Sequence, residues 1–125
     1  MSRKADRRTA LFLLYQWDVT GQPLTSLYEG DVDEWSRTTA EEVAADAADL
    51  DRRITEAADD WTADRLGAVE RNILRLATYE LDEGSVPLEV VIDEAVTLAK
   101  RYATEEAGGL VNGILGRIAR EKEVA

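Results

Sequence analysis

Apolar residues recur at spacings of three and four along almost the whole chain, and no convincing strand alternation interrupts them. That periodicity fits helices with one buried face, so the fold must be built by packing helices against each other. The first helix is expected from near Ser2, with Leu11, Leu14, Tyr15 and Val19 on one stripe, and it stops at Gly21 and Pro23. A weaker segment carries Leu24, Leu27, Tyr28, Val32 and Trp35. Thr38 and Thr39, with Glu41 and Glu42 three residues on, read as a capping box that opens a long helix. Its stripe is Val43, Ala47, Leu50, Ile54, Ala58 and Trp61. The next helix is expected from about Leu66 to Leu81, with Val69, Ile73, Leu76 and Ala77 inward and Gly84 closing it. Pro87 sets the start of another, carrying Val91, Ala95, Leu98 and Tyr102. A last helix shows Ala107, Leu110, Val111, Ile114, Leu115 and Ile118, where Gly108 and Gly109 would each cost about 1 kcal/mol relative to alanine. The expected fold class is all-α, a compact bundle of six to seven helices.

Composition removes several function classes. The chain has no cysteine, hence no disulfide, thiolate metal site or thiol nucleophile. It has no histidine either, which removes the commonest metal ligand and the commonest general base at neutral pH. Glu105-Glu106 and Asp59-Asp60 are adjacent on helices and so point in different directions rather than sharing a site. Gly108-Gly109 has no preceding strand and no Gly-Lys-Ser/Thr signature, so it is not a phosphate loop. No catalytic role, metal or cofactor is expected. Arg3, Lys4, Arg7 and Arg8 lead into an apolar run of only about six residues, too short for a signal peptide. No apolar stretch approaches the roughly 20 residues that span a bilayer. A cytoplasmic protein with no membrane partner is expected.

The net charge of −11 argues against a polyanionic partner until its distribution is considered. Residues 1–28 hold four basic and two acidic side chains, a net of +2. Residues 29–64 hold three basic and thirteen acidic, a net of −10. Screening falls off over about 8 Å at physiological salt, so a basic arm can act locally while the acidic segment faces elsewhere.

Several cations then stand out as candidate recognition residues. Lys4 lies beside Arg7 and Arg8 at helical spacing, a cluster able to straddle backbone phosphates. A solvated terminus would look the same. Arg71 and Arg75 repeat at i, i+4 away from the apolar stripe, and Lys100, Arg101 and Tyr102 end a helix. A basic pair beside an aromatic suits single-stranded RNA, although a Lys-Arg pair also complements a helix carboxyl end. Tyr15 and Tyr79 read as core aromatics with a hydroxyl at the surface rather than as base-stacking platforms.

The order and spacing of particular residues narrow this further. Arg7-x-x-Ala10 with Leu14-Tyr15, Val69-Glu70-Arg71, Leu74-Arg75 and Tyr79-Glu80-Leu81 come first. Pro87, Asp93-Glu94-Ala95, Leu98-Ala99-Lys100-Arg101-Tyr102, Glu105 and Val111-Asn112-Gly113-Ile114-Leu115 follow. This pattern resembles the NusB family of bacterial transcription antitermination factors, from about Ser2 to Ala119. The resemblance implies two antiparallel sub-bundles and a single RNA-binding helical domain over residues 1–125, without catalytic activity. It implies binding to boxA-type single-stranded RNA of ribosomal-RNA leaders, jointly with the ribosomal protein NusE, in the RNA polymerase elongation complex.

Carried over residue by residue, the RNA surface would include Arg3, Lys4 and Arg7, then Tyr102, Glu105 and Glu106; Arg75 and Arg101 join it as neighbouring cations. The protein partner would meet Tyr15, Val19 and Glu70. Glu80 and Glu94 are expected to bond loop or helix-end amides, and Asn112 to pack between helices. Asp6 interrupts a basic run usual in the family, and Gly108-Gly109-Leu110 replaces polar and aromatic residues. Two other readings stay open. A non-enzymatic interaction scaffold, or a homodimer with its RNA face occluded, would also suit so acidic a chain. The RNA-binding domain of a ribosomal-RNA cytosine methyltransferase would require a catalytic domain that these residues do not contain.

Overall fold

A computed structural model describes residues 3–58 and 65–124. Six α-helices and one short 3₁₀ turn form the described chain, with no strand among these residues. They are α1 (Lys4–Thr20), α2 (Glu34–Ala45), α3 (Ala47–Ala57), α4 (Ala68–Glu83), α5 (Leu88–Tyr102) and α6 (Glu105–Val124), with the 3₁₀ turn at Leu24–Ser26. The start expected at Ser2 and the stripe residue Trp61 lie outside the described residues.

Local chemistry sets most of the ends. Gly21 (φ 73°) and Gly84 (φ 72°) close α1 and α4 in the left-handed conformation, which a side chain would oppose, and their amides donate to Trp17 O and Glu80 O. Thr104 caps α6, its Oγ1 accepting from the Ala107 amide at 3.0 Å. The expected capping box at Thr38 and Thr39 does not form. Asp33 caps α2 five residues earlier, accepting from the Ser36 amide at 2.9 Å. The Ser36 hydroxyl shares its proton between Asp33 Oδ1 (2.6 Å) and the Asp6 carbonyl (3.0 Å), which ties this helix start to α1. The long helix expected after it is broken at Asp46 (φ −102°, ψ 10°). Below the break the chain must leave α1, against which α2 lies, and follow α4 and α6, which a straight rod could not do.

α4 is the central helix, touching all five others. Seven consecutive residues from Asn72 to Thr78 are buried, so its sequence has no solvent face over two turns. The α1–α3 layer meets α4 through all three of its helices and α6 through α3, while α5 packs most extensively on α6. Leu14, Val43, Leu50, Ile54, Leu74, Val111 and Leu115 are fully enclosed and form one continuous core across both layers. Gly108 fits the α5–α6 contact, since a Cβ there would come within 2.7 Å of Lys100 Cγ. No helix of the described residues is long and apolar enough to cross a membrane.

Candidate RNA and partner interface

α1 and α5 lie side by side on one face. Lys4 Nζ pairs with Glu94 Oε1 at 2.8 Å, and the Phe12 ring meets Tyr102 edge-on with centroids 5.3 Å apart. Both contacts advance by eight residues on each helix, so the two run in the same direction in matched register for about 12 Å. Glu94 thus bonds a lysine, not the amides expected of it. At the start of this strip, Arg3 is exposed, bonded to Asp6 at 3.1 Å, and its guanidinium lies 4.7 Å from the Trp35 ring centre. At the far end, exposed Arg101 lies over the Tyr102 ring, and exposed Glu105 and Glu106 form the first turn of α6 just beyond it.

Tyr102 also lines a hollow of about 210 Å³ with Leu11, Phe12, Tyr15 and Val69. Phe12 is 44% exposed, Tyr15 39%, and Val19, one turn further along α1, 56%, which makes an apolar surface of a kind that soluble chains cover with a partner. Glu70 borders it on α4 but folds back over Gly67, where any Cβ would come within 2.8 Å of its Oε2. A carboxylate at the third helical position favours the positive helix start, so Glu70 has a structural use as well. Residues expected to serve RNA and residues expected to serve a protein partner therefore adjoin at Tyr102.

Two expected RNA contacts are not on this surface. Arg7 is buried between α1 and α4, gripping Glu80 through Nε (2.9 Å) and Nη2 (2.9 Å). Glu80 is buried with it, and so bonds a guanidinium, not loop or helix-end amides. Arg75 is also buried, bidentate to Asp51 on α3 at 2.7 and 2.6 Å, with Nη1 on Asn72 Oδ1 at 3.0 Å. Arg71 and Asn72 converge with it on Asp18 Oδ2, at 2.8 and 2.9 Å. A charge left unpaired in this interior would be prohibitive, so each cation has found a carboxylate. Burial pushes the Asp18 carboxyl up, but hydrogen bonds from Arg71 and Asn72 and the nearby arginine charges hold it below the usual range. Asn112, expected to pack between helices, is exposed on α6 instead.

Phe12 and Trp35 had not been singled out as surface residues. Phe12 lies at helical spacing from Tyr15 and Val19, and the apolar face that these three extend past Leu11 and Leu14 is its signal. Among the described residues no carboxylate cluster could hold a metal ion.

The family model described as the NusB family matches residues 4–120. The chain belongs to the NusB family. It is 38% identical over 135 residues to the transcription antitermination protein NusB of Solibacter usitatus, covering 96% of this chain and 90% of that one. The fold matches the solved structure of T. maritima NusB with a TM-score of 0.85 at 37% identity, over 97% of this chain and 92% of the other. It matches the antitermination factors NusB and NusE solved in complex with double-stranded RNA with a TM-score of 0.84 at 33% identity, over 95% and 96% of the two chains. In this chain the fold is held by α4 (Ala68–Glu83) and the buried Arg7–Glu80 pair, and the α1–α5 strip lies on its surface.

Proposed function

We propose that the protein is a transcription antitermination factor that binds boxA-type RNA together with NusE and acts on the RNA polymerase elongation complex, without catalysing a reaction. The observation that carries the reading is the matched α1–α5 strip, cationic at one end and aromatic at the other, on a fold shared with a NusB found with NusE and RNA. Arg3 and Lys4 hold phosphates at the arm. Arg101, Tyr102 and Glu106 meet the RNA at the other end, where Tyr102 can stack a base. NusE covers the hollow at Tyr15 and reaches Val19 and Glu70. Arg7 and Arg75 serve indirectly, fixing α1 against α4 and α4 against α3. Residues 1–125 act as one RNA-binding domain, in the cytoplasm where bacterial transcripts are made.

The test is RNA binding with and without NusE over a salt series, using a single-stranded boxA oligomer and the same sequence in a duplex. The expected result is weak binding alone, as the −11 net charge opposes a polyanion, and tighter binding of the single strand with NusE. Equal affinity with and without NusE would count against the reading. Self-association with no RNA binding under any condition would replace it with the occluded homodimer.

A further inference from the structure

A second concavity opens beside the arm, apart from the Tyr102 hollow. It encloses about 370 Å³ between the starts of α1 and α2 and the turn after α4. Its walls are Arg3 and Trp35 on one side and Tyr79, Glu83, Ser85 and Val86 on the other. A concavity of about 370 Å³ lined by an arginine and an aromatic ring has room for one planar base. Arg3 stacks on Trp35 with its guanidinium 4.7 Å from the ring centre and remains exposed, so its outer face is open to a further planar group. Bases stack on guanidinium planes as well as on aromatic rings.

The polar groups select what enters. Glu80 is already neutralised by Arg7, and the Tyr79 hydroxyl is taken by Glu42. Glu83 is exposed and makes no salt bridge among the described residues, leaving its carboxylate as the strong acceptor of the pocket. A carboxylate repels phosphate and carbonyl oxygens and accepts from amino and ring N–H groups. Guanine presents N1–H and N2–H side by side, matching both carboxylate oxygens; uracil offers one N–H flanked by two carbonyls.

We propose that this pocket takes one unpaired guanine of the bound RNA, stacked on the Arg3 guanidinium that Trp35 backs and read at its Watson–Crick edge by Glu83. The proposal rests on the RNA-binding reading above and adds a base-selective position to it.

The test uses the full chain with NusE and three fluorescent single-stranded 12-mers: oligouridine, the same with one central guanosine, and the same with one central inosine. Inosine keeps N1–H and lacks the 2-amino group. The wild type is expected to favour the guanosine oligomer over oligouridine by roughly five-fold or more, in line with one good base-edge pair, with inosine between them. Glu83→Gln should remove most of that preference without weakening oligouridine binding, a change of selectivity that a merely structural role would not produce. Trp35→Leu removes the backing of the Arg3 platform and should weaken the guanosine oligomer by roughly five-fold, and oligouridine less. Equal binding of all three oligomers by the wild type, or an unaltered preference in Glu83→Gln, overturns the pocket and leaves RNA binding standing. Absence of binding to any oligomer, and to boxA RNA as well, removes both.

Discussion

Arg7 on α1 and Glu80 on α4 clasp each other through three contacts of 2.9–3.1 Å, 73 residues apart in sequence and both about 6% exposed. This pair fixes how the basic arm leaves the core, and it removes Arg7 from the charges available to RNA. Arg7→Ala strands the Glu80 carboxylate and should destabilise the fold by about 3–5 kcal/mol. The double variant Arg7→Met, Glu80→Leu should recover most of that loss, because no charge is then left buried. Urea unfolding of both variants measures the difference.

On the proposed reading, the arm keeps two residues for phosphate, Arg3 and Lys4. Alanine at both should flatten the salt dependence of single-stranded RNA binding by about 1.4 in slope, at about 0.7 per contact. Adding Arg7→Ala should reduce folded protein without flattening the slope further. Titrations at several salt concentrations, with the folded fraction checked by circular dichroism, separate the two effects.

Asp18 gives the fold a defined acid sensitivity. Its folded pKa is lowered by its arginine and asparagine partners, after their effect has outweighed burial. The stability it supplies is complete above its unfolded value of about 3.9 and is lost as pH falls toward the folded value. Asp18→Asn should therefore be less stable than the wild type near pH 7, and the two should converge as the pH drops below about 4. Urea midpoints measured across that range give the comparison.

Adjacent glycines on α6 should respond oppositely to alanine. Gly109 has open space where a Cβ would go, so Gly109→Ala should stabilise by about 1 kcal/mol through helix propensity. At Gly108 the new methyl would strike the Lys100 stem at 2.7 Å, near its root, and force α5 and α6 apart or Lys100 out of place. Gly108→Ala should gain nothing or lose stability, as thermal melts of the pair will show.

Helix number and register were legible because apolar spacing reports burial directly, and Gly21 and Gly84 stand where the chain must turn left-handed. Arg75 was misread for a physical reason. It lies off the apolar stripe of α4, and a helix packed on one side would expose it. α4 is packed all round, and the acids that neutralise Arg75 lie 24 and 57 residues away, beyond any local pattern. The same distance hid the Glu80 partner of Arg7. The break at Asp46 escaped notice because it contains neither glycine nor proline; the packing of α2 and α3 on different neighbours imposes it. Tyr15 and Val19, expected on the inward stripe of α1, are exposed because that stripe is wider than the core it serves.

The Tyr102 ring stands in two neighbourhoods at once, against Phe12 on the arm's helix and in the wall of the hollow with Tyr15 and Val69. On the proposed reading, a protein seated in that hollow would immobilise the ring before any nucleotide arrives. The freedom that a stacked base would otherwise have to take from Tyr102 is then already gone, and the second ligand binds more tightly without any movement of the backbone. Thermodynamic reciprocity makes the RNA strengthen the protein pair by the same factor. On that reading, one side chain shared by both surfaces couples the two associations.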